Sequence, residues 1–465
     1  MATVVSYGAA EVVTGSCHLF SIDGGPSILI DCGMFQGREE SRNYGPFDFD
    51  PKEVDYLLVT HAHLDHVGRI PKLVKEGYTG PIYATSATKD LAEVILLDSA
   101  QIMKEDFLTQ YKKAQRQGKE DAVSTVLYDE DDVANALERD WRAPEYDVAF
   151  ELEEGIEVIY HNAGHILGSA FIEINYMENN VKQTIVFSGD IGNNNNMVLP
   201  DLEKCTHANY LYVESTYGDR DHQTAELSTT EFKRIIIDTL HNWGNVIIPS
   251  FAVERTQELL CILKGMHDRK ELPECHIFLD SPMATRATEV YRNYSELLSE
   301  NCQNIKKRDG SVFDFEELIY TLDVDGSKKI NDIQSRAIII AGSGMCNGGR
   351  VLHHLKNRLW NKKNAVIFVG YQVVGTLGRM IVDGASMVKI YHEDIVVKAG
   401  IHTINGFSAH ADQSAIIKWV TQMEDLKTIY LIHGEENKQV ILRSAMENIL
   451  EKKVHIVEPE EVIYL

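Results

Sequence analysis

Short apolar runs alternate with amphipathic stretches along almost the whole chain, the pattern of an α/β protein. The beginning is strand-rich: 17–22 and 27–31 read as strands around a turn at 23–25. Residues 54–60, VDYLLVT, predict a buried strand, followed by a helix reaching toward residue 76. Residues 91–117 predict a long amphipathic helix and 129–140 a second, acidic one. Strands return at 156–161, 170–176, 183–188 and 210–214. Past about residue 215 the texture becomes a regular series. Helix 228–242, strand 245–250, a helix from 254, strand 276–280, a helix from 284, strand 336–341, a helix from 350 and strand 365–370 follow in order. That order predicts a parallel sheet. Short strands resume from about 389, and helix 412–423, strand 428–433 and helix 436–452 close the chain. The expected organisation is a β-rich domain in two parts, 1–212 and 389–465, interrupted by a parallel-sheet α/β domain at 213–388.

The chain has 465 residues, of which 44% are hydrophobic and 25% charged. These values suit two or three globular domains and exclude a disordered, collagen-like or coiled-coil protein. No apolar run reaches the roughly 18 residues of a membrane span, and the N-terminus lacks the basic start and apolar stretch of a secretory signal. Seven cysteines, odd in number and never spaced CxxC, exclude a disulfide framework and predict a reducing, cytoplasmic setting. A net charge of −25 argues against a general nucleic-acid coat protein, yet leaves room for one local basic groove. Acidic residues are in excess over 101–160 and basic residues over 335–400.

Candidate chemistry begins at the end of the buried strand, where His61, His63, Asp65 and His66 form HxHxDH. Imidazole and carboxylate are the usual ligands of a metal that must keep a coordination position open. Alternate residues of an extended segment point the same way, so His61 and His63 can share one ion while Asp65 and His66 reach a second. One cluster supplies too few ligands for two metals. His165 in HNAGHILGSA, Asp190 in VFSGDIG and His433 in YLIHGE each follow a predicted strand and complete the set. His61, His63, His165 and Asp190 would serve one ion, and Asp65, His66, Asp190 and His433 the other, with Asp190 as the bridge. Two such ions can share a hydroxide that is nucleophilic at neutral pH. Asp31, closing SILID, either orients a ligand histidine or is simply a strand-end turn residue.

These residues resemble a known family. HAHLDH, His165, Asp190 and the opening GAAEVVTGSCHLF are similar to the metallo-β-lactamase fold. VESTYG (213–218), FSAHAD (407–412) and LIHGE (431–435) resemble motifs A, B and C of its β-CASP branch, as do PSFAVERTQE (249–258) and AGSGMCNGGR (341–350). The resemblance covers nearly the whole chain and lies with the RNA-processing members: bacterial and archaeal ribonucleases and the endonuclease subunit of the pre-mRNA 3′-end cleavage complex. It implies a metallo-β-lactamase αββα sandwich with an inserted β-CASP parallel-sheet α/β domain. It also implies two Zn²⁺ per chain, held by the seven ligands above.

Phosphodiester hydrolysis also needs a proton for the departing 3′ oxygen. His410 is the candidate acid, because imidazole matches neutral pH, and Glu214 would hold that ring charged; the family implies the same pairing. Asp65, His410 and Glu214 are thus the expected catalytic group. Ser343, Gly344, Gly348, Gly349 and Arg350 follow a strand and precede a helix, a turn that can cradle phosphate or merely turn tightly. Ser250 and Arg255 occupy a similar turn. The expected activity is hydrolysis of single-stranded RNA to 5′-phosphate and 3′-hydroxyl ends, without membrane association and with a homodimer left open. A DNA nuclease or small-ester hydrolase, and a non-catalytic RNA-binding subunit, are the competing readings. Without the extensions of larger relatives, the chain reads as a stand-alone member.

Overall fold

A computed structural model describes residues 1–119, 125–193, 196–373, 375–404 and 406–465. The chain forms two compact units. The first comprises Met1–Asn194, Asp201–Asp221 and His410–Leu465; the second comprises Asn195–Pro200 and His222–Ala409.

The first unit is built on two seven-stranded sheets. One runs Val462–Tyr464, Ala2–Gly8, Cys17–Ile22, Ser27–Ile30, Tyr56–Leu58, Ile82–Tyr83, Trp141–Arg142 in spatial order. The other runs Lys453–Ile456, Thr428–Ile432, Tyr210–Glu214, Val181–Phe187, Ala170–Glu178, Ile156–Asn162, Phe150–Glu153. Their inner faces share one core, in which Val4, Phe20, Ile28 and Leu58 pack with Val158, Ile172, Phe187 and Tyr212. The alternate residues Leu211, Val213, Ile429 and Leu431 point the opposite way. They pack against Ile416 and Val420 of helix Gln413–Val420 and Leu442 and Met446 of helix Glu436–Leu450. Helices Ile70–Lys75 and Ser86–Gln115 fall in sequence between the parallel strands Tyr56–Leu58, Ile82–Tyr83 and Trp141–Arg142 of the first sheet.

The second unit holds a six-stranded, wholly parallel sheet. Its order is Leu318–Tyr320, His276–Asp280, Ala337–Ala341, Val246–Pro249, Ala365–Phe368, Gly400–Thr403. The central strands are apolar on both faces, as a covered parallel sheet requires. One face packs on Val351, Leu355, Leu377 and Ile381. Because Gly400–Thr403 pairs with Ala365–Phe368, compactness puts the breaks after Asp221 and Ala409, later than the 212 and 388 read from hydropathy. Among the described residues no helix is long and apolar enough to cross a membrane.

Several expected elements are shorter or begin elsewhere. The long helix starts at Ser86, where the Thr85 side chain accepts a hydrogen bond from the Thr88 amide, and ends at Gln115. The acidic helix is only Glu130–Leu137, after which Trp141–Arg142 joins the sheet. The strand read at 54–60 is regular only over Tyr56–Leu58, which frees the following residues to carry chemistry.

Candidate metal centre

His61, His63, His165, Asp190 and His433 sit in segments that follow strands, and Asp65 and His66 in a short helix just beyond one. Strand Tyr56–Leu58 delivers Thr60 to His63, and His63 caps the short helix Leu64–Val67. Strand Val181–Phe187 delivers Ser188, Gly189 and Asp190. Strand Thr428–Ile432 delivers His433, whose backbone takes a left-handed φ of 50° and whose amide donates to the Ala9 carbonyl at 2.6 Å. His165 lies between strands Ile156–Asn162 and Ala170–Glu178, its amide bonded to Ser169 Oγ at 3.1 Å. Gly189 has φ 52°, and a Cβ there would come within 2.7 Å of Thr60. A side chain at this position would therefore push the Asp190 loop off the histidine loop.

The structure brings the seven expected ligands together. His63 Nδ1 lies 3.2 Å from His61 Nε2 and 3.1 Å from His165 Nε2. Asp190 Oδ2 is 3.5 Å from His61 Nε2 and 3.6 Å from His165 Nε2. The other oxygen, Oδ1, is 3.3 Å from His66 Nε2 and 3.5 Å from His433 Nδ1. His433 Nε2 faces His66 Nε2 at 3.2 Å and Asp65 Oδ2 at 3.6 Å. The two oxygens of Asp190 thus face two different sets of donors. His61, His165, His66, Asp190 and His433 are all buried.

Electrostatics separate the rings. Burial, then the neighbouring His66, hold the His61 imidazole well below its ordinary pKa, and burial takes His63 down to about 4. Burial works in the same direction on His66, yet Asp190 and Asp31 overcome it and raise that ring well above its ordinary value. For Asp190, burial favours the neutral acid, but His433, His66 and His61 hold the carboxyl well below its usual range. Neutral His61 and His63 beside buried carboxylates suit a divalent cation, and such a cation would displace the proton that the carboxylates hold on His66. Asp190 Oδ1 is buried without a hydrogen-bond partner among the described residues, and one ring nitrogen of each of His61, His63, His165, His66 and His433 turns to the cluster. The residues therefore fit a metal.

His410 stands beside this cluster, its ring centroid 4.6 Å from that of His165. Its Nδ1 lies 3.1 and 3.2 Å from the two oxygens of Glu214, which is fully buried and also accepts the Ile191 amide at 2.8 Å. Burial would lower the His410 pKa, but Glu214, with Asp190 and Asp65 beyond it, pushes it up to about 9. Asp31 is no mere turn residue: its Oδ2 lies 2.7 Å from His66 Nδ1.

The remaining expected residues gather in the second unit, at the carboxyl edge of the parallel sheet. Ser250 N donates to the Ala341 carbonyl at 3.0 Å, which sets the two turns side by side. Ser343, Gly344, Gly348 and Gly349 lie in the loop after Ala337–Ala341, where Ser343 Oγ accepts the Asn347 amide at 3.2 Å. Ser250 is buried, with its hydroxyl 3.1 Å from that of Thr256. Both arginines are engaged inside the fold. Arg350 donates to buried Asp280 at 2.7 Å and to the carbonyls of Thr321 and Leu322 at 2.9 and 2.8 Å. Arg255 is buried in an ion pair with Glu258. Two positions that the sequence did not single out stand behind the ligands: Thr60, and Thr216, whose Oγ1 is 3.1 Å from His433 Nδ1. Their one sequence signal is nearness, Thr60 next to His61 and Thr216 two residues after the VEST carboxylate, Glu214.

Comparison with known proteins agrees with this geometry. Residues 10–238 match the model of the metallo-beta-lactamase superfamily, 256–381 that of the Beta-Casp domain, and 394–457 that of the Zn-dependent metallo-hydrolase RNA specificity domain. The chain is 41% identical over 439 residues to Ribonuclease TTHA0252 of Thermus thermophilus, covering 94% of each. The chain belongs to the β-CASP family of the metallo-β-lactamase superfamily. Its relatives include Transcription termination factor FttA of Methanococcus maripaludis, at 32% identity over 92% of this chain and 66% of that one. An RNase J-like protein of Methanocaldococcus jannaschii is 31% identical, over 92% and 91% of the two chains. A solved Enterococcus faecalis protein of unknown function aligns over all of both chains with a TM-score of 0.57 at 13% identity, a likeness of fold alone. As a β-CASP protein the chain is a metal-dependent hydrolase, and the cluster described above could hold a metal.

Proposed function

We propose that this β-CASP hydrolase is a two-zinc ribonuclease that cleaves single-stranded RNA, leaving 5′-phosphate and 3′-hydroxyl ends. The observation that carries the reading is the union, in one pocket, of seven cation donors with a histidine held on a buried glutamate. His61, His63, His165 and Asp190 would hold one ion; Asp65, His66, His433 and the same Asp190 would hold the other. When bound, the ions supply acidity to water and offset the negative charge of a phosphate. The chain's own residues supply the rest. Glu214 fixes Nδ1 of His410 and favours its charged form, so proton transfer runs through Nε2 to the departing 3′ oxygen. Water as nucleophile needs no 2′-hydroxyl, which accounts for the end chemistry. RNA is favoured over DNA because the matched RNA specificity domain spans both His410 and His433, and because ribonuclease is the name of a relative over 94% of the chain.

The purified protein with zinc should cut a labelled oligoribonucleotide and spare the DNA of the same sequence. His63→Ala and Asp190→Ala should each remove cutting while circular dichroism stays native. Full activity in either variant would overturn the site; equal cutting of DNA would overturn the choice of substrate.

A further inference from the structure

The donor cluster is held from behind by one carboxylate, and the proton inventory there is closed. Asp31, at a left-handed φ of 61°, accepts the Thr60 amide at Oδ1 (2.8 Å) and the Ser16 hydroxyl at Oδ2 (3.2 Å). His66 Nδ1 lies 2.7 Å from Oδ2. An ionised carboxylate only accepts, so His66 carries its proton on Nδ1 and turns Nε2 to the pocket. Thr60 Oγ1 is 2.9 Å from Oδ2 and 3.1 Å from Oδ1 of the same carboxylate. A hydroxyl has one proton, and this one goes to Asp31. The lone pairs of Oγ1 are left to accept, and His61 Nδ1 lies 3.1 Å away. Thr60 Oγ1 is the one hydrogen-bond partner of His61 Nδ1 among the described residues. His61 Nε2 is thereby the nitrogen offered to His63 and Asp190.

We propose that Thr60 is a positioning residue that fixes the tautomer of His61, so that one carboxylate orients a ligand in each half of the cluster: His66 directly and His61 through the Thr60 hydroxyl. The inference rests on the two-ion reading above. Its consequence is asymmetric. Without the hydroxyl, a fully buried ring is left with an unsatisfied Nδ1–H. Moving that proton to Nε2 relieves the penalty but blocks the nitrogen that faces the donors. His66 keeps its 2.7 Å contact with Asp31, losing only a longer 3.4 Å approach of the Thr60 hydroxyl, and Asp31 keeps the Thr60 amide and the Ser16 hydroxyl. The loss therefore falls on the His61, His63 and His165 group, while the Asp65, His66 and His433 group survives.

Thr60→Val keeps the shape against Gly189 and removes the hydroxyl. Thr60→Ala removes it with less bulk, and Thr60→Ser retains it. Zinc would be counted by mass spectrometry after dialysis, and affinities read by competition with a chromophoric chelator on full-length protein. Wild type and the serine variant should hold two ions. The valine and alanine variants should hold one unchanged and one weakened about 10–100-fold, the usual effect of losing a group behind a ligand. A wild-type count other than two overturns the two-ion reading itself. Two ions in wild type with unchanged affinities in the valine and alanine variants overturns the relay alone. Equal weakening of both ions also overturns it, since loosened packing would act that way, as does loss of an ion in the serine variant. Should the valine variant fail to fold, the alanine variant carries the same comparison.

Discussion

His410 is the side chain on which leaving-group chemistry turns. Its Nδ1 is fixed by Glu214, and it belongs to neither proposed ligand set, so its removal should separate proton transfer from metal binding. His410→Ala is expected to lower kcat on RNA by about 10²–10⁴, the usual worth of a positioned acid, with zinc content unchanged. Bis(p-nitrophenyl) phosphate, whose phenolate departs without a proton, should lose far less. Equal losses on the two substrates would show that His410 does something other than donate. Most residues of this centre were readable in sequence because the chemistry accepts few types: HAHLDH, His165, Asp190 and His433 are scarce kinds at strand ends. Thr60 and Thr216 were not readable. Hydroxyl residues are common at strand ends, and only the direction of an oxygen, known once the strands are paired, tells a positioning threonine from a surface one. Arg350 and Arg255 show the reverse. Their motif suggested phosphate binding, whereas Asp280 and Glu258, remote or ordinary in sequence, occupy them.

Elements were legible where burial is uniform. The runs at 245–250 and 336–341 are apolar inside their ends because both faces of the parallel sheet are buried, and they appear as Val246–Pro249 and Ala337–Ala341. Ala2–Gly8 alternates buried and partly buried residues, and Leu318–Tyr320 and Ile82–Tyr83 are too short to show a period; pairing with neighbours, not pattern, makes them strands. Helix Glu300–Asp309, ENCQNIKKRD, buries only Cys302 and left no apolar stripe to read. At the head of helix Arg255–Asp268, Glu254 sits at φ 65°, accepting Tyr291 Oη at 2.7 Å and Asn196 Nδ2 at 3.0 Å. Burial pushes its carboxyl up to about 7, against those hydrogen bonds. A raised acid pKa means the folded chain binds the proton more tightly than the unfolded one. Stability from this group is therefore complete below the ordinary value of 4.5, falls as pH rises toward about 7, and stays low above it. Glu254→Gln, always neutral, should be relatively more stable than wild type by up to about 3 kcal/mol at pH 8, with the advantage gone near pH 4.5. Melting temperatures of the two proteins across that range check it. A difference independent of pH would mean that the carboxyl is ionised or neutral throughout.

At the scale of the molecule, a net charge of −25 has to be reconciled with the polyanionic substrate proposed above. Long-range attraction is absent, so affinity must come from a few local charges. Part of the basic character of 335–400 is engaged in ion pairs: Arg350 pairs with Asp280, Lys356 with Glu393, and Arg379 with Asp383. On the proposed two-ion reading, the cations would add positive charge where the scissile phosphate must sit. This argues for two linked results in RNA binding by a cleavage-inactive variant such as His410→Ala. First, the slope of log affinity against log salt should be shallow. Single-stranded RNA contributes about −0.7 for each phosphate neutralised by a side chain, so a slope no steeper than about −2 is expected, corresponding to about three such contacts or fewer. Second, stripping the metal with a chelator should weaken binding at least about tenfold at low salt, because it removes charge that the side chains do not replace. Fluorescence anisotropy with a short labelled oligoribonucleotide measures both. A slope of about −5 together with indifference to the chelator would place affinity on cationic side chains instead, and would reject the view that this acidic chain grips RNA chiefly at its centre of catalysis.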